Sequence, residues 1–223
     1  MLEDKRIRIV TGHYGSGKTE FAVNYAINLA KSGEKAAIAD LDIVNPYFRS
    51  REEKGRMERL GIRVVAPEGK FINADVPALP ADINTLLQDE SYQVVLDVGG
   101  DAAGARALGR YYPYLKDADY DMFIVVNANR PNTASPEAVI EYIEDIERAA
   151  RIRATGLVNN THMLRETTVE DVLRGQRVVE EVSRQKDLPV KYICAIERIA
   201  GQIPAGLTGE VFPIKMYMRP EWL

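Results

Sequence analysis

"GHYGSGKTE", residues 12 to 20, follows directly on an apolar stretch that carries Ile7, Ile9 and Val10. Gly12, Gly17, Lys18 and Thr19 satisfy the pattern G-x-x-x-x-G-K-[ST]. The match stands between a predicted strand and a predicted helix, the context that gives the pattern its meaning. Chemistry accounts for each residue type. Glycines at 12, 15 and 17 let the backbone wrap tightly and turn its N–H groups toward phosphate oxygens. A helix opening near Lys18 adds the positive end of its dipole. Lys18 supplies charge to the β- and γ-phosphates, and Thr19 supplies a hydroxyl to Mg²⁺. We take the stretch as a phosphate-binding loop. Gly12, His13, Tyr14, Gly15, Ser16, Gly17, Lys18, Thr19 and Glu20 are its candidate nucleotide contacts.

Outward from the loop, apolar runs alternate with helical patterns. The runs are "RIRIV" (6–10), "KAAIAD" (35–40), "IRVVA" (62–66), "YQVVLDV" (92–98), "MFIVVN" (122–127), "TGLVN" (155–159) and "VKYICAI" (190–196). Most are continuous rather than alternating, as in strands buried on both faces of a parallel sheet. Between them, Ala22, Tyr25, Ala26 and Leu29 form one stripe of a helix over 19–32. Val139, Ile143, Ile146 and Ala150 do the same over 136–150, and Val169, Val172, Leu173, Val179 and Val182 over 168–186. "SPEA" (135–138) reads as a helix start. The alternation predicts an α/β fold: a doubly wound, mostly parallel sheet flanked by helices. No repeat or composition break divides residues 1–223, so one nucleotide-binding domain is expected.

A loop of this kind needs acidic partners at other strand ends. "VVLDVGGD" (94–101) supplies Asp97, placed to hold Mg²⁺, and Gly100, whose N–H can meet a γ-phosphate. "ADLDIVNPYF" (39–48) supplies Asp40 and Asp42 after the second strand, which a doubly wound order sets next to the first loop. Either carboxylate could steady hydrated Mg²⁺ or orient an attacking water. The catalytic candidates are thus Lys18, Asp42 and Asp40, and the metal candidates are Thr19, Asp97 and Asp40.

Composition narrows the function classes. The formal charge is −4, with 46% apolar and 28% charged residues. A net acidic chain is a poor general binder of nucleic acid or of a membrane surface, since both need a basic face. The single cysteine, Cys194, sits in an apolar run and reads as a buried hydrophobe, which suits a reducing compartment. The N-terminus has no signal-like apolar region, and no run approaches a membrane span. The tail "VFPIKMYMRPEWL" carries Pro213 and Pro220 and no basic helical stripe. A cytoplasmic protein without membrane association is expected.

Taken together, the three motifs resemble the MinD/ParA/nitrogenase-iron-protein group of P-loop ATPases, the CobQ/CobB/MinD/ParA nucleotide-binding domain. "FAVNYAINLAKSGEKAAIADLD" (21–42) is similar to that family's first helix and second strand, ending in its D-x-D. "DVGGD" (97–101) is similar to the iron protein's switch. "GLVNN" (156–160) resembles the strand whose terminal Asn reads adenine, which implies Asn160 as the base contact, with Asn159 beside it. An amide suits adenine because it donates and accepts at once. The resemblance implies the P-loop NTPase fold, Mg²⁺ and ATP as ligands, and a protein partner.

The departures from the family are informative. Its loop has an extra lysine after the first glycine that reaches across a dimer, and here His13 stands there. A homodimer driven by ATP alone is therefore not expected, while a constitutive homodimer or one activated by a partner stays open. The iron protein's cluster cysteine is replaced by Gly104, and no C-x-x-C exists, which disfavours an iron–sulfur carrier. The basic DNA face and the C-terminal membrane helix of other members are missing. Arg49, Arg51, Arg56 and Arg59 could clamp an acidic ligand, or lie on a solvated face among Glu52, Glu53 and Glu58. The aromatic run in 104–115 reads as partner surface or core.

The leading expectation is a Mg²⁺-dependent ATPase that acts as a nucleotide switch on a partner protein, in metalloenzyme maturation by family analogy. Two other readings stay open. One is an ATP-dependent synthetase or amidase of the dethiobiotin-synthetase or cobyrinate type. The other is a nucleotide sensor without turnover.

Overall fold

The computed structural model describes residues 3–42, 50–66 and 82–218. Its centre is an eight-stranded sheet in the order β3-β2-β4-β1-β5-β6-β7-β8. The strands are β1 (Ile7–Thr11), β2 (Ala36–Leu41), β3 (Arg63–Val65), β4 (Gln93–Val98), β5 (Tyr120–Val126), β6 (Gly156–Asn159), β7 (Val190–Ile196) and β8 (Glu210–Ile214). Every pairing is parallel. The helices are α1 (Lys18–Lys31), α2 (Lys54–Arg59), α3 (Asp82–Gln88), α4 (Ala102–Gly109), α5 (Tyr112–Leu115), α6 (Pro136–Ala150), α7 (Val169–Lys186) and α8 (Glu197–Ala200).

The continuous apolar runs are explained by two-sided burial. On β5, Met122, Ile124 and Val126 pack into one layer with α3 to α7. Phe123 and Val125, one residue out of phase, pack into the other layer with α1. The same alternation sends Ile7 and Ile9 one way and Val10 the other. Strand residues alternate faces, so a strand covered on both sides needs apolar residues at nearly every position.

α1 is seated by an aromatic cluster. Phe21 and Tyr25 on its buried face meet Phe123, Tyr192 and Phe212 from the sheet, with ring centroids 5.1–6.3 Å apart. This fixes the helix whose first turn carries Lys18 and Thr19. The starts of the other long helices follow their sequence signals. Ser135 accepts from the Ala138 N–H, and Thr168 and Asp171 form a reciprocal capping box on α7.

Two features depart from expectation. The second strand is not next to the first: β4 lies between β1 and β2. Asp40 is therefore in register with Asp97, which is in register with Val10. The tail also supplies an eighth strand, with Pro213 opposite Ala195. A proline lacks the N–H that a central strand needs, and β8 escapes that limit by lying at the sheet edge. Among the described residues no helix is long and apolar enough to cross a membrane.

Candidate nucleotide site

The site lies at the carboxyl ends of β1, β4 and β2, beside the crossing where the chain passes from β4 over β1 to β5. Ligands of open α/β sheets bind at such switch points. After Thr11 the chain turns through the glycine loop into α1. Gly17 caps the helix with φ +79°, a left-handed conformation that a side chain would strain. A Cβ there would also come within 2.4 Å of Asn160 Nδ2.

Lys18 and Thr19, both buried, face the acidic strand ends. Lys18 Nζ pairs with Asp42 Oδ2 at 3.1 Å. Thr19 Oγ1 donates to Asp97 Oδ1 at 3.3 Å. Asp40 Oδ1 accepts from the Asp42 N–H at 3.0 Å. Two of the predicted carboxylates thus meet the two predicted loop side chains, Asp42 from a strand two places away, and Asp40 stands behind them, bonded to the Asp42 N–H.

Burial raises the Asp97 pKa to about 7. The negative charges of Asp40 and Asp42 add to that rise, and Lys18 and the Thr19 hydroxyl oppose it. Asp97 Oδ2 is buried with no hydrogen-bond partner among the described residues. A strained, underpartnered carboxylate beside a threonine hydroxyl is an oxygen donor set suited to a hard cation that completes its shell with water and phosphate. Among the described residues no group of three or more His, Cys, Asp and Glu forms a metal cage by itself.

The rest of "DVGGD" packs against the loop and the next helix. Gly100 sits against the loop so closely that a Cβ would fall 1.8 Å from the Gly12 carbonyl oxygen. Asp101 caps the following helix, accepting from the Gly104 N–H at 2.8 Å. A Cβ on Gly104 would lie 2.4 Å from the Gly99 carbonyl oxygen, so packing leaves no room there for a cysteine. In the aromatic run, Tyr111 and Leu115 belong to the core, and Tyr114 is exposed.

His13 turns away from the loop's hollow. Its ring meets Tyr142 edge-on at 5.7 Å, and Nε2 lies 3.1 Å from Asn132 Nδ2. Tyr14 is 71% exposed at the rim. Ser16 is buried, and its carbonyl accepts from Asn160 Nδ2 at 2.7 Å. Glu20 points its carboxylate at the backbone of the C-terminal segment, accepting from the Tyr217 N–H at 2.7 Å and the Met218 N–H at 3.2 Å.

Of the two asparagines ending β6, Asn160 is at the site. Asn159 is committed to the α7 interface, donating to the Val172 carbonyl and to Gln176. Asn127 and Arg130 escaped the sequence reading. Asn127 Nδ2 and Arg130 Nε donate to the Gly15 carbonyl at 3.1 and 3.3 Å. The signal for them was present: "VVNANR" places both just past the end of β5, beside β1.

A cavity runs from the loop across the ends of β6, β7 and β8. Gly15, Gly17, Lys18, Thr19 and Arg130 line one end. Asn160, Thr161 and His162 line its middle, and Leu164, Ala195, Ile196, Ile214, Met216 and Met218 line an apolar end. Buried Cys194 is part of the wall, and burial pushes its thiol pKa up. That keeps it protonated and unreactive. Of the arginines in 45–61, Arg49 and the Arg51 side chain lie outside the described residues. Arg59 is exposed, and Arg56 pairs with Glu53 at 3.2 Å while its guanidinium lies 5.0 Å from the Tyr217 ring centre.

No protein-family model matches the sequence, and no curated protein matches it. Solved structures do match in shape. The cell division protein FtsY of Thermotoga maritima superposes with a TM-score of 0.58 at 20% identity, over 83% of this chain and 60% of that one. The fold is a P-loop NTPase fold. FtsY of Mycoplasma mycoides gives a TM-score of 0.56 at 17% identity, covering 85% of this chain and 60% of that chain. The signal recognition particle 54 kDa protein of Aeropyrum pernix, solved with GDP, gives 0.51 at 18% identity, over 78% and 39%. The chain thus spans 60% of the length of these FtsY chains, and at such identity the likeness establishes the fold alone. These structures do not single out the MinD/ParA group, whose resemblance rests on the sequence motifs alone.

Proposed function

We propose that this protein is a Mg²⁺-dependent ATPase that switches a partner protein between nucleotide states. The observation that carries the reading is that Lys18 and Thr19, which line one end of a cavity whose other end is apolar, are themselves bonded to Asp42 and Asp97 at the strand ends, with Asp40 beside them. A triphosphate needs the first end and a nucleobase the second. Lys18 exchanges Asp42 for the β- and γ-phosphates. Thr19 and Asp97 hold Mg²⁺, with Asp40 alongside. Bound there, Mg²⁺ supplies positive charge to phosphate oxygens. Asp42, released from Lys18, orients the attacking water. Gly100, seated on the loop, reports the γ-phosphate to α4, and that is the motion a partner reads.

Asn160 supports adenine as the base. Its bond to Ser16 engages one of two amide N–H groups, which leaves a donor and Oδ1 for a base edge. "NANR" (127–130) has neither the lysine nor the aspartate of a guanine signature, and Asn127 is tied to the loop backbone. ATP should therefore compete a fluorescent ATP analogue at least tenfold better than GTP does. Equal competition would contradict the choice of base.

Asp42→Asn should keep ATP binding, with equal or higher affinity because Lys18 loses its competing anion. Hydrolysis should fall sharply. If Asp40→Asn gives that phenotype and Asp42→Asn does not, the two roles are reversed. His13 is turned toward Asn132 and Tyr142, so no loop cation reaches outward. The trapped Asp42→Asn protein should therefore sediment with the same mass with and without Mg·ATP. A nucleotide-dependent dimer would point to exposed Arg106 and Arg110 as substitutes for the lysine.

A further inference from the structure

Beyond β8 the chain does not leave the molecule but runs as a strap along the first turns of α1. Two side chains of that helix hold it. Asn24 is buried, and its amide pairs with both sides of one peptide unit: Nδ2 donates to the Lys215 carbonyl at 2.8 Å, and Oδ1 accepts from the Lys215 N–H at 2.9 Å. An asparagine amide carries the same donor and acceptor as a peptide, so it serves the strap as a neighbouring strand would. Glu20, one helical turn earlier, takes the N–H groups of Tyr217 and Met218. These bonds to an anionic acceptor are stronger than neutral ones. The strap's outer side chains tie it further, Lys215 to Glu197 at 3.3 Å and Tyr217 beneath Arg56.

The residues left on the inner side are Met216 and Met218, and both line the apolar end of the cavity. Every polar group of the strap so far named is turned to a helix, and the residues the strap gives to the cavity wall are the two methionines, beside Glu20 itself. Methionine is flexible and polarisable and packs well against flat rings.

We infer that Glu20 and Asn24 are positioning residues for the nucleobase: they hold the 215–218 strap so that Met216 and Met218 form one wall of the base pocket. This rests on the nucleotide reading above and adds a role for Glu20 that the loop pattern does not contain. Because Glu20 directly follows Thr19 on α1, the same helical turn fixes the metal end and, through the strap, the base end. Ring and phosphates are thereby aligned by one rigid element.

The test compares a ligand that has the base with one that lacks it, on the full chain. Wild-type protein with Mg²⁺ is titrated with ATP and with inorganic tripolyphosphate. In Glu20→Ala/Asn24→Ala, ATP affinity should fall 10- to 100-fold while tripolyphosphate affinity stays within about twofold. Glu20→Gln keeps an acceptor oxygen and should recover most of the loss. Met216→Ala leaves the strap's backbone bonds intact and should weaken ATP alone, which tests the wall even if the double variant folds poorly. Unchanged ATP affinity in both the double variant and Met216→Ala would overturn the inference. So would equal losses for ATP and tripolyphosphate in folded Glu20→Gln, which would place Glu20 at the phosphates. Failure of the wild type to bind either ligand would instead remove the nucleotide reading, and the inference with it.

Discussion

Lys18→Ala should lower ATP turnover by about 10²- to 10³-fold or more. Removing one aimed electrostatic donor from a transition state typically raises the barrier by about 3–4 kcal/mol. In the proposed reaction Lys18 is the cation that meets the transferred charge, and it is buried, so water screens it little. The substitution has a second effect that the motif alone would not suggest. Lys18 also neutralises Asp42 at 3.1 Å, in a cluster with Asp40 and Asp97. Without it, three carboxylates share one strand-end pocket, and the structure relieves this by taking up a proton. The variant should fold, with a normal far-UV circular dichroism spectrum. Without ligand, its melting temperature should be higher at pH 6 than at pH 8. Single-turnover hydrolysis with Mg·ATP and a thermal melt at both pH values check the two statements. Near-normal turnover would remove the loop from the reaction.

Local sequence signals were most legible where one physical requirement dominates. The loop was readable because tight turns, an exposed helix N-terminus and a charge leave few residue choices. Strands β1, β4 and β5 were readable because two-sided burial demands unbroken apolar runs. α6 is readable to within a residue from its cap and stripe, and α7 from its stripe alone. The legible parts are those whose reasons lie within about fifteen residues of chain.

What sequence did not give depends on spatial order. Placing Asp42 beside the first loop was correct, but for a different reason than strand adjacency: β4 intervenes, and the contact is made by the reach of a loop carboxylate. Asn127, Asn160 and Arg130 all brace the loop's backbone carbonyls from loops more than 100 residues away. The one local mark of such a brace is its place just past a strand end, and which loop it reaches depends on strand order. β8 was hidden by Pro213, whose penalty vanishes only at an edge. Glu20 was read with the loop because it follows Thr19, yet helical geometry turns its carboxylate to the strap.

In the absence of metal and nucleotide, Asp97→Asn should make the protein more stable at pH 8. The Asp97 pKa stands near 7 in the fold, chiefly through burial, against 3.8 for the ordinary side chain. The fold therefore holds the proton more tightly than the unfolded chain does. The sign follows: the stabilising contribution is complete below about pH 4, declines as pH rises, and is gone above about pH 7. Above that point the fold carries a buried charge whose penalty is on the order of 4 kcal/mol at one unit of pKa per 1.36 kcal/mol. Asparagine keeps the shape and cannot ionise. Melts in EDTA from pH 5.5 to 8.5 should show wild type losing several degrees relative to Asp97→Asn as pH rises, since 1 kcal/mol shifts a chain of this size by about 2–4 °C. Parallel profiles would mean that Asp97 is not the strained group. Mg·ATP should reverse the ranking, stabilising wild type and leaving the variant nearly unmoved, because the charge that destabilises the empty fold is the one a bound cation requires. A carboxylate kept at such cost in a buried, underpartnered position is what a site shaped for its ligand, rather than for its own stability, is expected to contain.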